Sequence, residues 1–88
     1  MRKNKLITKE ELSELSGIKI KEIIKYVKAD ILSYEKEDEK LNRFYNKKKA
    51  SNRLKEIKRL EEEGHDLSKI KEYFKPSYEE EMKDLLKN

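Results

Sequence analysis

The sequence predicts a mostly α-helical domain carrying one small β-hairpin. Three observations lead there. Apolar residues recur at helical spacing through most of the chain. That period is lost between Leu32 and Tyr45, where strand-favouring residues flank the charged run EKEDEK. Gly17, Gly64 and Pro76 punctuate the remaining stretches. The resulting order is helix, helix, hairpin, helix, helix, helix, with no internal repeat.

Taking the elements in turn, residues 1–5, MRKNK, show no pattern and read as a flexible basic arm. Thr8 stands three before Glu11, a capping box that satisfies two exposed backbone donors reciprocally and starts a helix over 9–16, with Leu12 and Leu15 at helical spacing. Gly17 ends it. Ile20, Ile23, Ile24, Val27 and Ile31 then form the inward stripe of a second helix, about 19–29. After the hairpin, Asn46 caps a third helix whose Ala50, Leu54, Ile57 and Leu60 face inward until Gly64. Asp66 or Ser68 starts a fourth, with Leu67, Ile70, Tyr73 and Phe74 inside. Pro76 breaks it, and Ser77 with Glu80 forms a second capping box for a short fifth helix striped by Tyr78, Met82, Leu85 and Leu86.

Eighty-eight residues make one small domain. Charged residues are 48% and apolar ones 34%, close to the balance of an unfolded chain, so periodicity decides that this one folds. The absence of cysteine excludes disulfides and thiolate metal sites. No apolar run exceeds two residues, which excludes a membrane span and the core of a secretory signal. A cytoplasmic protein is expected. The net charge of +4 conceals a segregation: 18 Lys and Arg against 10 Asp and Glu through Leu60, then 5 against 9 from Glu61 onward. A basic body suits a nucleic-acid partner; solvated lysine faces are the plainer alternative.

Nothing suggests catalysis, a metal or a cofactor. His65 is the lone histidine, the glycines are isolated, and Glu35, Glu37, Asp38 and Glu39 lack calcium-loop spacing. The informative unit is helix–glycine–helix, which can present its second helix to a DNA major groove. Lys21, Lys25 and Lys28 lie along one side of that helix, with Lys19 at its start. Like charges so spaced repel by about 0.2–0.5 kcal/mol per pair, a cost that phosphates would reverse. Lys47, Lys48 and Lys49 open the third helix, and Glu61, Glu62 and Glu63 close it, both ends against the helix dipole. The lysines beside free N–H groups suit a phosphate. For the glutamates, keeping the distal half away from DNA is one role left open.

Here the residues resemble the helix-turn-helix of the MerR family of bacterial transcription regulators. ELSELSGIKIKEIIKYVKADIL follows the family's E-L-A-x-x-[TS]-G-[VI] opening and its later tyrosine. Arg43-Phe44-Tyr45 resembles the family's R-x-Y wing motif, and IKRLEEEGHDLSKIKEYF resembles its I-x-x-L-x-x-x-G-[FM]-S-L-x-x-I-x-x-x-[LF]. The likeness covers about residues 6–74, leaving 75–88 as a short C-terminal helix. It implies a winged helix-turn-helix that binds duplex DNA as a dimer. It places Lys21 where the family often has a base- or phosphate-contacting arginine, aligns Tyr26 with a family tyrosine and so puts it among the residues expected at DNA, gives Arg43 and Tyr45 wing contacts to the backbone, and puts Lys47 at the start of the following helix. Glu22 stands in place of the usual threonine, Ile24 of the usual arginine and Asp30 of the usual glycine. A glutamate facing DNA repels phosphates yet can accept from a cytosine amino group. The chain is too short for the family's long dimerisation helix and effector domain, so a stand-alone regulator is expected. An excisionase-like or architectural DNA-binding factor is the nearest alternative. A homodimer or a protein–protein adaptor would instead use Tyr78, Met82, Leu85 and Leu86.

Overall fold

Thr8 opens the first helix through both halves of its capping box: its Oγ accepts from the Glu11 amide at 3.2 Å, and Glu11 Oε1 accepts from the Thr8 amide at 3.0 Å. The computed structural model describes residues 5–83. In chain order it contains β1 (Leu6–Ile7), α1 (Lys9–Ser16), α2 (Ile20–Lys28), β2 (Lys36–Glu37), β3 (Arg43–Asn46), α3 (Lys47–Glu62) and α4 (Leu67–Glu81). Helices dominate and a small antiparallel sheet forms the wing, so the fold is a winged helix-turn-helix.

The sheet is larger than the expected hairpin. Strand order is β1-β3-β2, with Leu6 opposite Asn46, Ile7 opposite Tyr45, Lys36 opposite Phe44 and Glu37 opposite Arg43. The Lys5 carbonyl accepts from the Lys47 amide at 2.9 Å, so the basic arm is tied down at its last residue; residues 1–4 lie outside the described residues. Two residues are too short to show strand periodicity, which is why β1 was not legible.

The helix-to-helix turn is closed by its serines. Gly17 takes φ +75° and its amide bonds the Ser13 carbonyl, a left-handed helix end for which glycine is suited. Ser13 Oγ donates to the Ile18 carbonyl at 2.6 Å, and the Ile18 amide donates to Ser16 Oγ at 3.1 Å. α2 ends in the same way, with Asp30 at φ +62° and the Ile31 amide reaching back to the Tyr26 carbonyl. The glycine usual at this position in the resembled family is thereby explained.

Asn46 caps α3 by accepting from the Lys49 amide at 2.9 Å, and Asp66 caps α4 by accepting from the Lys69 amide at 3.0 Å. One apolar cluster joins every layer: Leu12 of α1, Ile23, Tyr26 and Val27 of α2, Leu54 and Ile57 of α3, and Ile70 and Phe74 of α4. Side chains of this size gain roughly 1.5–3 kcal/mol each when fully buried. Leu15, Ile24 and Tyr73, expected inside, are instead exposed at 53%, 38% and 58%.

Pro76 does not break the last helix. α4 runs unbroken from Leu67 to Glu81, so Ser77 is helical rather than a cap and no separate fifth helix begins there. Proline removes one helical hydrogen bond, at a cost of about 3 kcal/mol. Tertiary contacts on both sides hold the helix through it. Before the proline, Phe74 lies under the Arg53 guanidinium at 4.3 Å; after it, Glu81 accepts from Arg53 at 2.7 Å and Met82 is buried. Arg53 also donates to the Ile31 carbonyl. One side chain of α3 thus joins the segment that follows α2 to both halves of α4.

Arg53→Ala should therefore lower the unfolding free energy by roughly 3 kcal/mol in urea titrations, because it leaves the Glu81 charge partly buried and alone. A decrease under about 1 kcal/mol, the worth of an ordinary surface pair, would contradict this role.

Candidate nucleic-acid interface

α2 divides cleanly into a dry face and a wet one. Ile23, Tyr26 and Val27 are buried, whereas Lys21, Ile24, Lys25 and Lys28 are exposed. Together with Ala29 and with Leu67 at the start of α4, these four line one shallow depression. Lys25 reaches Glu22 at 3.8 Å, while Lys19, Lys21 and Lys28 make no ion pair among the described residues. Lys19 is the N-cap of α2, exposed, and makes no side-chain capping bond.

Tyr26, expected at DNA, is fully enclosed. Its hydroxyl donates to Glu61 Oε2 at 2.8 Å and lies 3.1 Å from Glu22 Oε1, so a single proton serves two carboxylates. Burial, followed by Glu61 and Glu22, pushes the phenol well above its ordinary pKa. Lys58 completes the cluster, with its Nζ 3.2 Å from Glu61 Oε1. Glu22 is half-buried at the border of the two faces, its Oε1 shared between Tyr26 and Lys25. The same bonds explain the first of the glutamates at the C-terminus of α3. Glu61 anchors α2, Glu63 pairs with Arg59 at 3.0 Å, and the unfavourable position at the helix dipole is offset by these partners.

The wing is built around Asp38. Its carboxylate accepts from the Asn42 amide and from Asn42 Nδ2, and then from the Lys40 amide, which together hold it below the usual carboxylate pKa. Leu41 takes φ +67° at the tip and is 73% exposed. Arg43 bonds Glu37 at 3.1 Å and lies over the Tyr34 ring at 4.6 Å, leaving its side chain 38% exposed. Tyr45 is buried in β3, and burial raises its pKa against the opposing pull of Arg43; its phenol is not available to a phosphate. Tyr78 of α4 sits nearby. Burial first, and then the Asp30 carboxylate, push its pKa up to about 12.

The lysines that open α3 do not join the α2 depression. Lys47 lines a different hollow with Lys5, Ile7, Glu11, Glu14 and Leu15, on the α1 side. Lys48 is exposed, and Lys49 pairs with Glu35 of the wing at 3.7 Å. Of the ten residues expected at DNA, the structure therefore groups Lys21, Lys25 and Lys28, places Lys19 at the head of their helix, and keeps Arg43, Lys47 and Lys48 exposed or half-exposed elsewhere. It withdraws Tyr26 and Tyr45, and leaves Glu22 at the border of the two faces. Ile24, which the apolar stripe assigns to the core, instead shares the depression with these lysines, and its place three after Lys21 and four before Lys28 is visible in the sequence.

A two-helix unit with an exposed lysine face, backed by a three-stranded wing, defines a DNA-binding helix-turn-helix protein. The MerR HTH family regulatory protein model matches residues 7–76, and the chain belongs to that family. No curated protein and no solved structure matches it. No helix among the described residues is long and apolar enough to cross a membrane.

Tyr26→Phe should reduce stability by about 1 kcal/mol in urea titrations, since it leaves two carboxylates without their shared donor. A loss of DNA affinity with stability unchanged would contradict this structural role and return Tyr26 to the interface. Beside that of Tyr26 and Tyr45, part of the alkaline pH dependence follows from Tyr78. Its folded pKa lies above the unfolded value of 10.0, so its contribution is intact below pH 10 and disappears as pH rises towards about 12. Tyr78→Phe should make alkaline unfolding less steep across that window, as followed by circular dichroism; an unaltered profile would contradict the assignment.

Proposed function

We propose that this chain is a sequence-specific duplex-DNA-binding protein, a small transcriptional regulator whose α2 enters the major groove while the wing rests on the backbone. The carrying observation is the grouping of Lys21, Lys25 and Lys28 on the wet side of a helix that follows a tight turn. Membership of a family of helix-turn-helix regulatory proteins supports the same reading. The major groove of B-form DNA is wide enough for one helix, and ammonium groups there meet phosphates and guanine acceptors. Lys19 extends the cationic face towards the turn. Arg43 supplies the wing contact by exchanging Glu37 for a phosphate.

The protein–protein adaptor reading loses support from the burial of its proposed surface. Met82 is 1% exposed and Tyr78 is half-buried, so both face their own domain. Leu85 and Leu86 lie outside the described residues. An excisionase-like or architectural role uses the same DNA-facing side, and selection of bound sites from a random duplex pool separates it from a regulator's operator.

Binding constants measured across a salt series test the proposal. Lys21→Ala and Lys28→Ala should each flatten the slope of log K against log salt by about one unit, because each leaves one fewer phosphate neutralised. Arg43→Ala should weaken binding to all sequences alike. Slopes untouched by either lysine change would refute docking through α2.

A further inference from the structure

We propose that Ile24 reads the 5-methyl group of thymine in the major groove, so that the protein favours duplexes with an A·T pair opposite the middle of α2. This rests on the DNA-binding reading above and adds a specificity-determining contact to it. Ile24 is 38% exposed among three lysines of α2. Lys21 and Lys28 stand one turn to either side of it, and with Lys25, Ala29 and Leu67 they line the same depression. A β-branched residue has mediocre helix propensity, and an isoleucine with more than a third of its surface in water forgoes part of its burial energy, so neither helix nor core fully accounts for it.

The chemistry of the groove supplies a partner. Lysine ammonium groups donate to phosphates and to purine acceptors; they cannot recognise a hydrocarbon. Among the base edges in the major groove, only thymine presents an apolar group, its methyl, which aliphatic side chains contact. Against any other edge, Ile24 would displace water from polar atoms and return no hydrogen bond. Flanking lysines would hold the helix against the backbone while the isoleucine between them meets the methyl.

Removal of that methyl alone is the direct test. Fluorescence anisotropy compares a duplex of alternating dA and dT with the same duplex carrying dU in place of dT, which keeps base pairing and loses the methyl. A second pair compares alternating dG and dC with and without 5-methylcytosine, which adds a methyl at the same place. The wild-type protein should bind each methylated duplex about fourfold more tightly, the worth of one methyl group removed from water. Ile24→Ala should bring both ratios to one without altering the salt slope, and Ile24→Val should retain most of the preference. Wild-type ratios of one with a steep salt slope would overturn the methyl contact and leave DNA binding standing, as would an Ile24→Ala protein that keeps the preference. Absence of salt-dependent binding to all four duplexes would overturn both.

Discussion

The bond between the Tyr26 hydroxyl and Glu61 sets the rotation of α2 about its own axis. A helix of nine residues is too short to be stable alone, so its packing decides which side faces out. Hydrophobic burial of Ile23 and Val27 against the core tolerates some rotation, because apolar contact has no direction. A phenol reaching a carboxylate at 2.8 Å across 35 residues of chain tolerates far less. With that bond made, Lys21, Ile24, Lys25 and Lys28 have no place except in water. The Coulombic repulsion among the lysines is accepted in the free protein and becomes useful only beside a polyanion.

Arg53 does for the far side of the domain what Tyr26 does for the near side. Its guanidinium touches Ile31 in the segment after α2, the ring of Phe74 and the carboxylate of Glu81. Asp30, Tyr34, Arg43 and Tyr78 gather in the same neighbourhood, so the segment after α2, the base of the wing and α4 share one foundation. This is why α4 continues through Pro76. The proline weakens the helix locally, but the segment beyond it is already fixed by its own buried and paired side chains.

Local chemistry was legible in the sequence, and long-range chemistry was not. Thr8 with Glu11, Gly17, Asn46 and Asp66 act within a few residues of themselves, and each stands where its spacing indicates. The stripe of α3 was equally plain. Tyr26 illustrates the limit: nothing near it in the chain announces Glu61, so a tyrosine on a helix taken to read DNA looked like part of the reader. Pro76 was misjudged for the same reason, since local propensity says stop and tertiary packing says continue. Arg53 did leave a trace. It falls three after Ala50 and four before Ile57, and a cation on an inward stripe implies a partner even before that partner is known.

The charge pattern now has a structural division. Lys21 and Lys28 of α2 stay free of ion pairs among the described residues, whereas many of the cations on α3 and the wing are held by glutamates: Lys49 by Glu35, Arg43 by Glu37, Arg59 by Glu56 and Glu63. Lysines without an ion pair among the described residues also stand on α3 and α4, at Lys47, Lys48, Lys55, Lys69, Lys71 and Lys75, so what supports the proposed docking is the grouping of the α2 lysines on the exposed face of the helix that follows the tight turn. Amide chemical-shift mapping of the labelled protein during titration with duplex DNA tests this most directly. Amides from Lys19 to Lys28 should move or broaden while those from Ile70 to Phe74 stay in place. Stationary signals along α2 in the presence of bound DNA would contradict the account.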